Sequence, residues 1–107
     1  MKKINLKDEA NRIAKHLAKI YKPEKIILFG SVARGDFDEN SDIDLLIIKK
    51  SKKPLYKRIS EVLHLARSEA SLGPIVLTPK EFNRRLSQSD FCLEDILKEG
   101  KVLYAKS

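Results

Sequence analysis

The chain has 107 residues, of which 42% are apolar and 35% charged, with four glycines and a single cysteine. That length suits one domain over residues 1–107, and the aliphatic content excludes a disordered polymer. Twenty-two Lys and Arg against 15 Asp and Glu leave a formal charge of +7, which draws anions such as nucleotides, nucleic acid or an acidic partner without choosing among them.

No stretch approaches the roughly 20 apolar residues of a membrane span, and the opening MKKINLKDEANRI lacks the apolar centre of a leader, so the expected location is the cytoplasm. Cys92 has no partner for an internal disulfide, and within Phe91-Cys92-Leu93 it reads as a small buried residue.

In chain order, Leu6, Ala10, Ile13, Ala14, Leu17 and Tyr21 recur at the three-and-four spacing of an amphipathic helix, which Pro23 stops. Lys25-Ile26-Ile27-Leu28-Phe29 is a short β-branched run, a buried strand ending at Gly30. A tight loop leads to Ile43–Ile48, whose nearly continuous apolar character predicts a strand covered on both faces in the middle of a sheet. Beyond the lysine loop 49–53, Leu55, Ile59, Val62, Leu63, Ala66 and Ala70 mark a second helix, with Gly73 and Pro74 as its stop. Ile75-Val76-Leu77 is a third strand, and Thr78-Pro79-Lys80-Glu81 is a capping box that opens a helix burying Phe82 and Leu86. Asp90 caps a last helix carrying Phe91, Leu93, Ile96 and Leu97, Gly100 closes it, and residues 101–105 add an edge strand. This order predicts an α+β, layered α/β domain with helices covering a small sheet.

The loop Gly30-Ser31-Val32-Ala33-Arg34-Gly35-Asp36-Phe37-Asp38-Glu39-Asn40-Ser41-Asp42-Ile43-Asp44 carries the chemistry. Side chains alternate along a strand, so Asp42 and Asp44 share one side. Two carboxylates that close resist ionising together, and a hard divalent cation, most naturally Mg²⁺ bound jointly with substrate phosphates, stabilises such a pair. Gly30 permits a turn that presents backbone N–H groups, Ser31 adds a hydroxyl, and both suit phosphate oxygens. Arg34 either forks onto the phosphates or ties the loop down by pairing with one of its own acids. An ordinary acidic turn, with Ser41 or Asp42 capping local backbone, explains the glycines but not two acids aligned at the start of a buried strand.

Leu28-Phe29-Gly30-Ser31-Val32-Ala33-Arg34-Gly35 followed by Ser41-Asp42-Ile43-Asp44-Leu45 resembles the nucleotidyltransferase signature of the DNA polymerase beta superfamily. It looks like the minimal nucleotidyltransferase branch, many of whose members are antitoxins encoded beside HEPN-domain toxins. The resemblance implies a small mixed sheet flanked by helices. It implies transfer of a nucleoside monophosphate, AMP from ATP, to a hydroxyl on a partner such as a HEPN toxin. Phosphates would lie at Gly30, Ser31 and Arg34, and Mg²⁺, one ion or two, on the catalytic Asp42 and Asp44.

Active members of that superfamily usually carry a third carboxylate on the next core strand, and here that strand has none; Glu69 and Glu81 are the nearest acids. The alternative is therefore a catalytically weak or silent nucleotide-binding antitoxin or interaction module. A basic nucleic-acid-binding domain using Lys49, Lys50, Lys52 and Lys53 ranks below both, because no aromatic residue interleaves with that run. Association through residues 82–97, with a second copy or a HEPN protein, is expected from the apolar spacing there. His16 and His64 read as partly buried helix residues, and Tyr21, Tyr56 and Tyr104 as packing residues.

Overall fold

The structure, a computed structural model, describes residues 4–107; the first three residues of the stretch read above for a leader lie outside it. Helix α1 (Leu6–Ile20) starts where the Asn5 side chain accepts from the Lys7 and Asp8 amides. Strand β1 (Lys25–Phe29) runs into a one-turn helix α2 (Gly30–Arg34), and β2 (Ile43–Ile48) returns antiparallel to β1. Helix α3 (Leu55–Ala66) then leads to β3 (Leu72–Leu77), parallel to β2. Helices α4 (Pro79–Ser87) and α5 (Phe91–Glu99) follow, and β4 (Lys101–Ala105) pairs antiparallel with β1. The sheet order β3-β2-β1-β4 places β2 inside, as its apolar sequence predicts.

Strand alternation divides the interior in two. Ile26, Leu28, Ile43, Leu45, Ile47 and Val76 face α1 and α3; Ile27, Leu46, Ile48 and Leu77 face Leu93 and Ile96 of α5. Sheet and covering helices together form the layered α+β architecture expected from the element order.

The structure corrects several local readings. Residues 30–34 are helical rather than loop, because Gly30 turns the chain at φ 76° and Val32 and Ala33 have a core to enter. Helix α3 stops at Ala66, with Arg67 in the left-handed region, and Gly73 and Pro74 lie within β3. Proline is tolerated there because β3 is an edge strand, so its missing N–H breaks no ladder bond. Cys92 is exposed, since the buried stripe of α5 is Leu93 and Ile96, and Phe91 on the same turn is 78% exposed. His64 and Tyr56 are also exposed, on the face of α3 turned from the sheet.

Only Glu9 and Arg58 are buried charges among the described residues. Arg58 Nη1 donates to Val76 O and Glu81 Oε1, both at 2.7 Å, Nη2 to Glu81 Oε2 at 3.0 Å and Nε to Lys53 O at 3.0 Å. One guanidinium thus joins α3, β3, α4 and the lysine loop. Glu81 also completes the capping box with Thr78, and the Arg58 fork holds its carboxyl far below the ordinary 4.5, at about 2.

Replacing Arg58 with Met strands the Glu81 carboxylate and is expected to cost about 3 kcal/mol in urea unfolding. Because the folded value of Glu81 is depressed, its contribution is whole above about pH 4.5 and is lost as pH falls toward 2. Wild type should lose about 2 kcal/mol across that window, allowing for the partial exposure of Glu81, and Glu81→Gln should flatten the profile.

Candidate active site

The antiparallel register sets Asp44 opposite Phe29, the last residue of β1, and the parallel register sets it opposite Gly73 of β3. Its side chain projects on the face of Leu46 and Ile48, at the end of the sheet where α2 begins. Two absent side chains make room for it. A Cβ on Gly30 would overlap Asp44 Oδ2, and one on Gly73 would stand 3.0 Å from Oδ1. Gly30 also has φ 76°, where an L side chain is strained, so two separate constraints require glycine there.

Every other acid that is not fully exposed has a cation beside it. Glu9 pairs with Arg12, Glu24 with Lys50 and Lys106, Glu61 with Lys53, Glu81 with Arg58 and Asp90 with Arg85. Asp44 has neither ion pair nor hydrogen-bond donor among the described residues. Burial raises its pKa above the ordinary 3.8, the Asp42 charge raises it further, and Arg34 works the other way. Asp42, exposed one residue before β2, is therefore close enough to be felt by Asp44.

The remaining loop acids have local tasks. Asp38 accepts from the Asn40 amide at 2.8 Å, and Ser41 Oγ accepts from the Asp38 amide at 3.0 Å, so these two rather than Asp42 build the turn. Asp36 pairs with Arg34 at 3.3 Å, and Glu99 of α5 meets the same guanidinium at 3.4 Å. Arg34 thus ties down the loop through exposed and weak pairs, and its charge still reaches Asp44. Ser31 is half-buried in the first turn of α2, whose leading amides have no side-chain cap. Gly73 is the site residue that the sequence did not point to, because Leu72-Gly73-Pro74 reads as a turn and only the parallel pairing brings it to Asp44.

Neither candidate for a third carboxylate serves. Glu81 lies past Leu77, which pairs with Ile48 at the far end of β2, and is bound by Arg58. Glu69 is exposed on the loop before β3, its amide held by Glu9 Oε2 at 2.6 Å. On the Asp44 face β3 presents Gly73 and then Ile75. No group of three metal-ligating side chains exists among the described residues. Two carboxylates, one of them without a protein donor and framed by missing side chains, fit a magnesium ion that completes its shell with phosphates and water, not a preformed cage.

A family model described as Polymerase beta, Nucleotidyltransferase matches residues 11–107. The chain belongs to this nucleotidyltransferase family. Two proteins of Methanocaldococcus jannaschii, each named Putative protein adenylyltransferase, are among its relatives: MJ0604 is 38% identical over 81 residues, covering 76% of this chain and 78% of the relative. MJ0141 is 35% identical over 68 residues, covering 64% and 68%. A crystal structure of a putative nucleotidyltransferase from Sulfolobus solfataricus has 26% identity and TM-score 0.64, covering 94% of this chain and 80% of that one. A chain from a toxin-antitoxin with AMP-PNP shares the fold at TM-score 0.54 and 23% identity, covering 92% and 74%. The nucleotidyltransferase fold expected from the glycine-serine and paired-aspartate motif is thus the one observed.

Two expectations follow from the frame around Asp44. Gly30→Ala should cost about 2–4 kcal/mol, and in an Asp44→Ala background only the backbone-strain part, about 1–2 kcal/mol, should remain; urea unfolding of all four proteins measures the difference. In chelator, Asp44→Asn should be more stable than wild type, because it removes an unpaired, partly desolvated charge; a lower melting temperature would contradict the reading of Asp44 as an electrostatic burden on the fold.

Proposed function

We propose that this chain transfers AMP from ATP to a hydroxyl on a partner protein, with Asp42 and Asp44 as the catalytic pair. The observation that carries this is the unpartnered Asp44 carboxylate, framed by Gly30 and Gly73 and repelled by Asp42, at the end of the sheet where α2 begins. A protein has no structural reason to maintain such a charge. The names of the two adenylyltransferase relatives favour AMP, and the toxin-antitoxin neighbour favours a protein partner, for which a HEPN toxin is the proposal.

In the proposed reaction the acceptor oxygen bonds to the α-phosphorus, the bond from that phosphorus to the bridging oxygen breaks, pyrophosphate leaves with the electron pair, and the hydroxyl proton passes to water. Gly30 and Ser31 hold phosphate oxygens through backbone amides and the Ser31 hydroxyl. Arg34, near enough to influence Asp44, offsets phosphate charge. Asp42 and Asp44 would hold magnesium, which when bound supplies charge neutralisation at the reacting phosphate.

A second reading has an observation of its own. With Gly73 and Ile75 on β3 where an acid would complete the set, the chain would bind nucleotide and act by covering its partner. Incubation with α-labelled ATP, Mg²⁺ and the protein encoded by the neighbouring gene separates the two. Transfer predicts labelled partner, reduced about 100-fold or more by Asp42→Asn or Asp44→Asn. Mg-ATP binding with no label on any partner would establish the silent module instead.

A further inference from the structure

The lysine loop remains outside this account. It follows Ile48, at the opposite end of β2 from Asp44, about 15 Å away for a strand of this length. A solvated lysine run needs no fixed backbone, yet this one is tied at several points. The Lys49 amide donates to Leu77 O at 2.9 Å, the Lys53 amide to Ser51 Oγ at 3.0 Å, and Arg58 Nε, from a buried guanidinium, to Lys53 O at 3.0 Å. Lys49 Nζ is fixed on the Tyr21 carbonyl and lies 4.8 Å from the centroid of its ring.

From Lys52 to Lys57 every residue is exposed, and Tyr56 stands 68% exposed among them, on the first turn of α3. Tyr56 reads in the sequence as a packing residue, and no aromatic interleaves with Lys49–Lys53; the structure corrects the first of these, leaving the ring exposed three residues beyond Lys53. Lys52 and Lys57, flanking the ring in sequence, have no acid within pairing distance among the described residues, while Lys53 and Lys50 are shared with Glu61 and Glu24. An accessible ring on the same exposed, backbone-held segment as several lysines is the combination that stacks a base while offering cations to its phosphates.

We propose that this surface, Lys50, Lys52, Lys53, Tyr56 and Lys57, docks single-stranded nucleic acid. Single-stranded nucleic acid uses both features at once, phosphates on the lysines and an unpaired base on the ring; an acidic protein partner is the outcome that the polyglutamate competition below detects. The two functions are spatially separate: the strand binds at the basic end of the sheet and leaves the acidic end open.

The test is fluorescence anisotropy with a fluorescein-labelled oligouridylate across a salt series. Expected are binding at low salt, a log–log salt slope of about −2 to −3 from three or four phosphate contacts, and unchanged affinity in Asp42→Asn/Asp44→Asn. Lys52→Glu/Lys57→Glu should abolish binding and Tyr56→Ala should weaken it about tenfold; all these side chains are exposed, and circular dichroism checks the fold. No binding at low salt, indifference to Tyr56→Ala with polyglutamate competing as well as the oligonucleotide, or loss of binding in the aspartate variant would each overturn the proposal.

Discussion

The Asp44 carboxylate sits where the sheet supplies no counter-charge, and much of the local structure is arranged around that one cost. Gly30 takes a backbone conformation that other residues enter only under strain, and β3 places a second glycine across the ladder. Gly30 also turns the chain into α2, a conformation that glycine takes without strain. A glycine inside a strand weakens it, and Gly73 is explained by the space it leaves beside the charge. The acid pair, the missing side chains and the start of α2 therefore form one unit. Changing any one of them alters the electrostatics of the rest.

That unit needs a stiff support, and two ion pairs, each with one buried member, provide it from opposite ends of the molecule. Near the site, Arg12 grips Glu9 through a two-point fork and also donates to the carbonyls of Ala66 and Arg67, where α3 ends in the left-handed conformation. Glu9 in turn receives the Glu69 amide, fixing the segment that runs into Gly73. At the far end the Arg58 fork performs the same task for α3, β3 and α4. Both tie together elements that also pack in the shared core, and their fixed hydrogen-bond geometry adds directional constraint to that packing.

How much of this could be read from the letters depends on the range of the interaction. Periodicity and capping are local, so α1, β1, β2 and the Thr78–Glu81 capping box were legible with almost the observed ends. The paired aspartates beside Gly30-Ser31 were legible because the spacing lies within one loop. What failed was set by distant partners. Whether Gly73-Pro74 ends a helix or enters a strand depends on β2 lying beside it. The fate of Phe91, Cys92 and Tyr56 depends on which turn of each helix meets the sheet. Residues 30–34 look like a loop, since their five positions are too few for a helical period and only core burial of Val32 and Ala33 makes the turn worthwhile.

Charge segregation gives the two ends of the sheet different relations to the same class of ligand. Five acids lie between positions 36 and 44, while residues 49–58 contain six cations and no acid. A triphosphate approaching Asp42 and Asp44 unaided meets the like charge of the surrounding acids, so on the proposed reading nucleotide would bind there only together with a divalent cation. The basic end, as proposed, would attract phosphate without a metal, and its affinity should fade with salt rather than with chelator. On the two proposals together, one sheet would keep metal-dependent and metal-independent anion recognition at opposite ends.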